Sequence, residues 1–253
     1  MRKILKIIWI IFSSILIFIL SSWIITTTIH HIVSDIKVEN FKKNGVLQEE
    51  LSSSTVKFYK IASNETPGYV KNGNLIMPGS EKCDVIVSRK SIIPIPFVRD
   101  LVTFFAGGHA ALITGDYRDY NIYSTEDTII EATGLNESLN LSELNDRTYW
   151  SYEELYNEVI VLRANNISEK QKDDVISKAL SMLDDPYNYS FTFDTTNKSY
   201  CSDLISKSFE NAGINFNKNG YWTTIHDLIV SNDCHIAYYH YYENGIKYIY
   251  YLG

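Results

Sequence analysis

The chain has 253 residues, 45% of them hydrophobic and 21% charged, which is enough to bury a sizeable core in one large domain or two small ones. Its net charge is -7, and Lys and Arg form no rich run beyond the first six residues, which excludes nucleic acid as the main partner.

The first element is the plainest. Arg2, Lys3 and Lys6 lead into Ile7 to Ile25, an almost wholly apolar run broken only by serines and long enough to span a hydrocarbon core. It is longer than the apolar part of a secretory signal and lacks a small-x-small cleavage site, so residues 1–26 read as an uncleaved transmembrane anchor. Trp9 and Trp23 suit the two interfaces. The basic end is expected to stay cytoplasmic, which puts everything after Thr26 on the outer side of the cell membrane.

Residues 27–81 read as a membrane-proximal spacer, with a short charged helix around Val33 to Leu51 and turns at Thr66-Pro67-Gly68 and Met77-Pro78-Gly79. His30 and His31 have no third ligand close by in sequence, so they are expected to be a solvated pair, and no metal or cofactor is expected. Outside the cell, Cys83, Cys201 and Cys234 would lie where disulfides persist. A Cys83–Cys234 bridge would leave Cys201 free, and three reduced thiols fit as well.

The folded domain is expected over residues 82–253. Asp84 to Val87 predicts a strand, and the apolar stretch Ile92 to Val98 a loop leading into a short helix over Leu101 to Phe105. Gly107-Gly108 ends that helix. His109 opens a strand over Ala110 to Thr114, and Asn121 to Ser124 and Thr128 to Ala132 predict two more, the last carrying Glu131. Glu158 to Arg163 reads as a buried strand. Ser168 with Gln171 makes a capping box before a helix whose apolar face is Val175, Ile176, Ala179, Leu180 and Leu183. The tail, Ala237 to Tyr242 and Ile246 to Tyr251 around Glu243-Asn244-Gly245, predicts a tyrosine-rich hairpin. The domain is α+β.

Between these units, Leu204, Ile205, Phe209 and Ala212 recur at helical spacing and Gly213 can close a helix that begins at Cys201. A thiol there faces unsatisfied N–H groups and the positive end of the helix dipole, which favours the thiolate. The same groups could hold an oxyanion. A buried, merely packed cysteine fits the same position.

With His109, Glu131 and Cys201 in that order, the sequence resembles the circularly permuted, NlpC-like branch of the papain-fold cysteine amidases and peptidases, over residues 82 to 215. The stretches that carry the resemblance are CDVIVSR, GGHAALITGD, IIEATG, VIVLR, DDPYNYSF and YCSDLISKSFENAGI. It implies a permuted papain-like fold, an antiparallel sheet packed on the cysteine-bearing helix. It also implies a catalytic triad of Cys201, His109 and Glu131, with Tyr187 lining the site or donating to the oxyanion. Where the family usually places a glycine before the first strand's aspartate, this chain has Cys83. The expected function is a membrane-anchored, extracytoplasmic thiol hydrolase of amide bonds, and the Ile- and Asn-rich composition suits a bacterial chain. Cell-wall peptide is the first expected substrate. Lipid amides or esters, acyl transfer, and a non-catalytic binding domain of the same fold are the alternatives.

Overall fold

The computed structural model describes residues 2–65, 68–72, 75–91, 93–115, 129–132, 141–142, 150, 157–183, 185–191, 196–217 and 222–253. The strand expected at Asn121 to Ser124 lies outside them. In chain order the elements are α1 (Arg2–Lys43), β1 (Gly45–Leu47), β2 (Val56–Ile61), β3 (Tyr69–Asn72), β4 (Leu75–Pro78), β5 (Val85–Ser88), α2 (Pro96–Phe105), β6 (His109–Ile113) and β7 (Ile129–Ala132). Then come β8 (Leu141–Ser142), β9 (Glu158–Ala164), α3 (Glu169–Leu180), α4 (Cys201–Glu210), α5 (Ile225–Val230), β10 (Cys234–Glu243) and β11 (Ile246–Leu252).

Among the described residues, nine strands form one sheet in the order β1-β2-β11-β10-β9-β5-β6-β7-β8, and β3 pairs with β4 separately. The sheet is mixed, which corrects the expected antiparallel one: β2 runs parallel to β11, from Val56 opposite Lys247 to Ile61 opposite Leu252. Residues read as spacer thus supply β1 and β2 to the sheet. VKFYKI is a half-buried strand with lysines among its apolar residues, so it lacks the continuous apolar run by which β5 and β9 announce themselves. The β10–β11 hairpin turns through Asn244 and Gly245, at φ 51° and 76°, the left-handed pair that a two-residue hairpin needs.

The central strands are buried on both faces, and their alternation sorts the core into two layers. Val85, Val87, Ala110, Leu112, Ile160 and Leu162 pack with α3, α4 and α5. Ile86, Ala111, Ile113, Val159 and Val161 face the opposite way, against Met77, Trp150 and Tyr238. Across the β5 and β9 strands, the buried Arg163 guanidinium donates to both Asp84 oxygens, at 2.9 and 2.7 Å. Cys83 sits at the preceding turn with φ 72°. That left-handed conformation costs any residue but glycine about 1–2 kcal/mol, and here a buried thiol occupies it.

The first helix does not stop at the end of its apolar run. It continues to Lys43, and its second half packs on the domain: Ser34 and Val38 are buried, and Phe41 packs on the core layer that contains α5. Lys37 Nζ donates to the carbonyl of Ile229 at 3.0 Å and to that of Ser231, closing the C-terminal end of α5. Arg89 bridges Asp35 on α1 and Glu158 on β9. His30 lies 3.6 Å from an Asp227 carboxylate oxygen, and His31 meets the His226 ring at a centroid distance of 4.1 Å. Both histidines thus face α5 and not open solvent.

Candidate active site

The geometry starts from α4. Its N-cap is Tyr200, whose long side chain makes no capping hydrogen bond; its hydroxyl accepts from the Thr223 N–H at 2.9 Å. The N–H groups of the first turn are therefore left for the cysteine that follows. Ser202 turns away to donate to the Thr223 carbonyl at 2.8 Å, and Asp203 pairs with Lys207 one turn on at 2.7 Å. Tyr200 and Ser202 thus tie the start of α4 to Thr223 from both sides.

His109 reaches Cys201 from the first position of β6. Its approach is set by Gly107, at φ 86°, where an added Cβ would lie 2.5 Å from the Ile225 Cβ, and by Gly108, where it would lie 2.3 Å from the Lys90 carbonyl oxygen. Only glycines let the chain pass between α5 and the end of β5. His109 Nε2 lies 2.7 Å from Glu131 Oε2 on the adjoining strand β7, where Glu131 stands opposite Ala111. A carboxylate only accepts, so Nε2 carries the proton and Nδ1 is the nitrogen left for the thiol.

Cys201 and His109 are joined by a side-chain hydrogen bond. Burial opposes charge on the thiol, yet the hydrogen bond and the charge of His109, with N–H groups of Ala110 and Ser202 directed at the sulfur, hold Cys201 below its ordinary 9.0. Burial likewise opposes the imidazolium, and hydrogen bonds to Cys201 and Glu131 outweigh it, so His109 is raised above 6.5. The pair favours thiolate and imidazolium together. Such a relay can attack a carbonyl carbon and protonate a leaving group.

Trp150 completes the buried side of the relay. Its Nε1–H donates to Glu131 Oε2 at 2.9 Å, and its ring stacks on the His109 ring at 5.3 Å and 25°. The indole thereby holds the acid and covers the imidazole, with a cation–π contribution when the imidazole is charged. Trp150 carries no local mark of this role in the sequence, since it lies in a stretch without periodicity. Tyr187 lies in the cleft wall next to Tyr189 and Phe191, and a bridge from Tyr187 to Ser199 brings that wall beside the start of α4.

Cys201 and His109 open onto a cleft of about 630 Å³. Its walls are aliphatic and aromatic, with Ile93, Leu101, Phe105, Tyr187, Phe191 and Trp222 among them. Trp23 of α1 also lines it, stacked on Phe105 at 4.4 Å and edge-on to Trp222 at 5.4 Å. The three cysteines are unbridged and buried, and Cys201 is the one at the cleft.

A solved structure described as metalloprotein yiiX from Escherichia coli O157:H7 is similar to 63% of this chain and 97% of its own length, at 15% identity and a TM-score of 0.47. No curated protein matches. Residues 91–243, more than half of the chain, match the family model described as permuted papain-like amidase enzyme, YaeF/YiiX, C92 family. The chain belongs to this family of permuted papain-like cysteine amidases and peptidases.

Proposed function

We propose that the protein is a membrane-anchored thiol hydrolase that cleaves the amide or ester bond of an acyl-bearing amphiphile, using Cys201, His109 and Glu131. The observation that carries this reading is the buried Cys201–His109–Glu131 relay at an apolar, aromatic cleft. Such a lining takes a hydrocarbon chain well, at about 25 cal/mol for each Å² of apolar surface removed from water. The anchor is the N-terminal helix, the one candidate span among the described residues. Residues 1–26 would cross the bilayer, and residues 82–253, completed by β1 and β2, would form the catalytic unit outside.

In the proposed reaction the Cys201 thiolate attacks the carbonyl carbon and the oxygen gains the negative charge. First-turn N–H groups of α4 stabilise that oxyanion, with Tyr187 close by on the wall. The His109 imidazolium gives its proton to the leaving amine or alcohol, and a thioester to Cys201 remains. His109 then takes a proton from water, the hydroxide adds to the thioester, and the fatty acid leaves with the thiol restored. Glu131 accepts from Nε2 throughout and keeps the ring in one tautomer.

The test has two parts. Iodoacetamide at neutral pH should alkylate Cys201 well before Cys83 and Cys234, whose thiols burial pushes up to about 12. A long-chain N-acyl amide, the corresponding ester and a cell-wall peptide should then be offered to the full chain and to its Cys201→Ala and His109→Ala variants. Turnover of the acyl compounds that both variants abolish supports the reading. Turnover of the wall peptide alone returns the substrate to cell-wall peptide, and equal labelling of all three cysteines removes the case for an activated thiol.

A further inference from the structure

The second helix leaves much of its apolar arc uncovered: Phe97, Val98 and Leu101 are exposed, while Val102 and Phe105 turn toward the cleft and Phe104 stacks on His31 of α1. No residue of α2 is buried, although most are apolar, and Phe97 is 78% exposed, with Ile95 and Leu101 at 59% and 48%. On a helical wheel Phe104, Phe97, Leu101, Phe105, Val98 and Val102 form one continuous arc, and Arg99, Thr103 and Asp100 form the other. Thr103, on the polar arc, ties the helix to the domain: its Oγ1 accepts from the Ser91 N–H at 3.0 Å, and its carbonyl lies 3.1 Å from His226 Nε2.

The position of α2 says what covers it. Phe105 stacks on Trp23, and Trp23 stands two residues before the end of the apolar run of α1, where an interfacial tryptophan belongs. Tyr189, Phe191 and Trp222, all exposed aromatics, line the same cleft as Leu101 and Phe105. Resting on the reading that α1 spans the membrane, we propose that α2 is a second membrane contact. It lies in the interfacial layer of the leaflet nearest the domain, and the cleft opens onto that leaflet between α1 and α2. The partner is the phospholipid surface itself: the exposed Ile95, Phe97, Val98 and Leu101 sink to the acyl boundary while Arg99 and Asp100 stay at the headgroups. An amphiphile could then enter the cleft without crossing water.

The experiment uses the full chain in nanodiscs of phosphatidylcholine and phosphatidylglycerol, with a spin label at one engineered cysteine. Cys201→Ser is the background, and Cys83 and Cys234 are buried. Phe97→Cys reports on α2, Ile19→Cys on the anchor, and Lys170→Cys on the exposed start of α3. Collision rates with oxygen and with a water-soluble nickel chelate are compared. The expected result is an oxygen preference at Phe97 matching that at Ile19, against a nickel preference at Lys170. Oxygen preference at Ile19 with nickel preference at Phe97 overturns the proposal and leaves the anchor standing. Nickel preference at both overturns the anchor and the proposal together. Protection from both reagents at Phe97 overturns it in favour of a protein contact, a second copy where the spectrum shows dipolar broadening.

Discussion

Glu131 receives two donors on one oxygen, His109 Nε2 at 2.7 Å and Trp150 Nε1 at 2.9 Å, so the imidazole and the indole are oriented by the same atom. Trp150→Phe keeps a ring against His109 and deletes only the donor. A hydrogen bond to a charged group contributes about 1.5–3 kcal/mol, so kcat/KM on an acyl substrate should fall by about tenfold or more with KM little changed. An equal loss in KM alone would show that Trp150 merely shapes the cleft. The pair also sets a pH profile. Protonation of the Cys201 thiolate removes the nucleophile as pH falls, and loss of the His109 proton removes the general acid as pH rises. With Cys201 lowered and His109 raised, the acid limb of kcat/KM should lie below 9.0 and the alkaline limb above 6.5. Glu131→Gln still accepts from Nε2 but no longer stabilises the imidazolium by charge, so the alkaline limb should move down while activity persists. An unchanged limb in that variant would separate Glu131 from the titration of His109.

At the scale of elements, the second half of α1 belongs to the domain. Val38 and Phe41 pack on the domain and Lys37 holds the end of α5, whose own start is fastened by a Thr224–Asp227 capping box. Burial of such side chains is worth about 1.5–3 kcal/mol each, so a chain beginning at residue 44 should melt well below one beginning at residue 27. Melting curves of the two truncations check this, and equal midpoints would make residues 27–43 dispensable. The sequence showed α1's apolar run and the Ser168–Gln171 box plainly, and both are present in the structure. It hid α5 although Thr224 and Asp227 carry the same kind of signal, because six residues are too few for an apolar period to stand out. The second half of α1 was hidden for another reason. Its buried face is confined to a few positions such as Ser34 and Val38, and polar residues fill the rest.

For the molecule as a whole, the proposed function puts the domain on the outer side of the membrane. The basic residues at the start predict that everything after Thr26 is outside, so protease added to intact protoplasts should degrade the domain. Survival until the membrane is broken would reverse the topology and place the cleft at the inner leaflet. The position of the cleft relative to α1 does not depend on that outcome, since Trp23 lines it directly.

Local order determined much of this protein before any folding was considered. A run of apolar residues, glycines at turns, a cap and a cysteine at a helix start are short-range features, and each acts through its own backbone. They placed β5, β6, β7, β9, α3, α4 and the final hairpin close to where the chain forms them. The order His109, Glu131, Cys201 pointed to a permuted papain-like family, to which the chain belongs. What tertiary structure alone decided is which distant residues meet. Trp150 beneath the imidazole, Arg163 on Asp84, β2 alongside β11 and Trp23 in the wall of the cleft each join residues far apart in the chain. Such contacts arise from closing the sheet and packing helices on its faces, and no residue carries a local mark of a partner found only when the chain has folded.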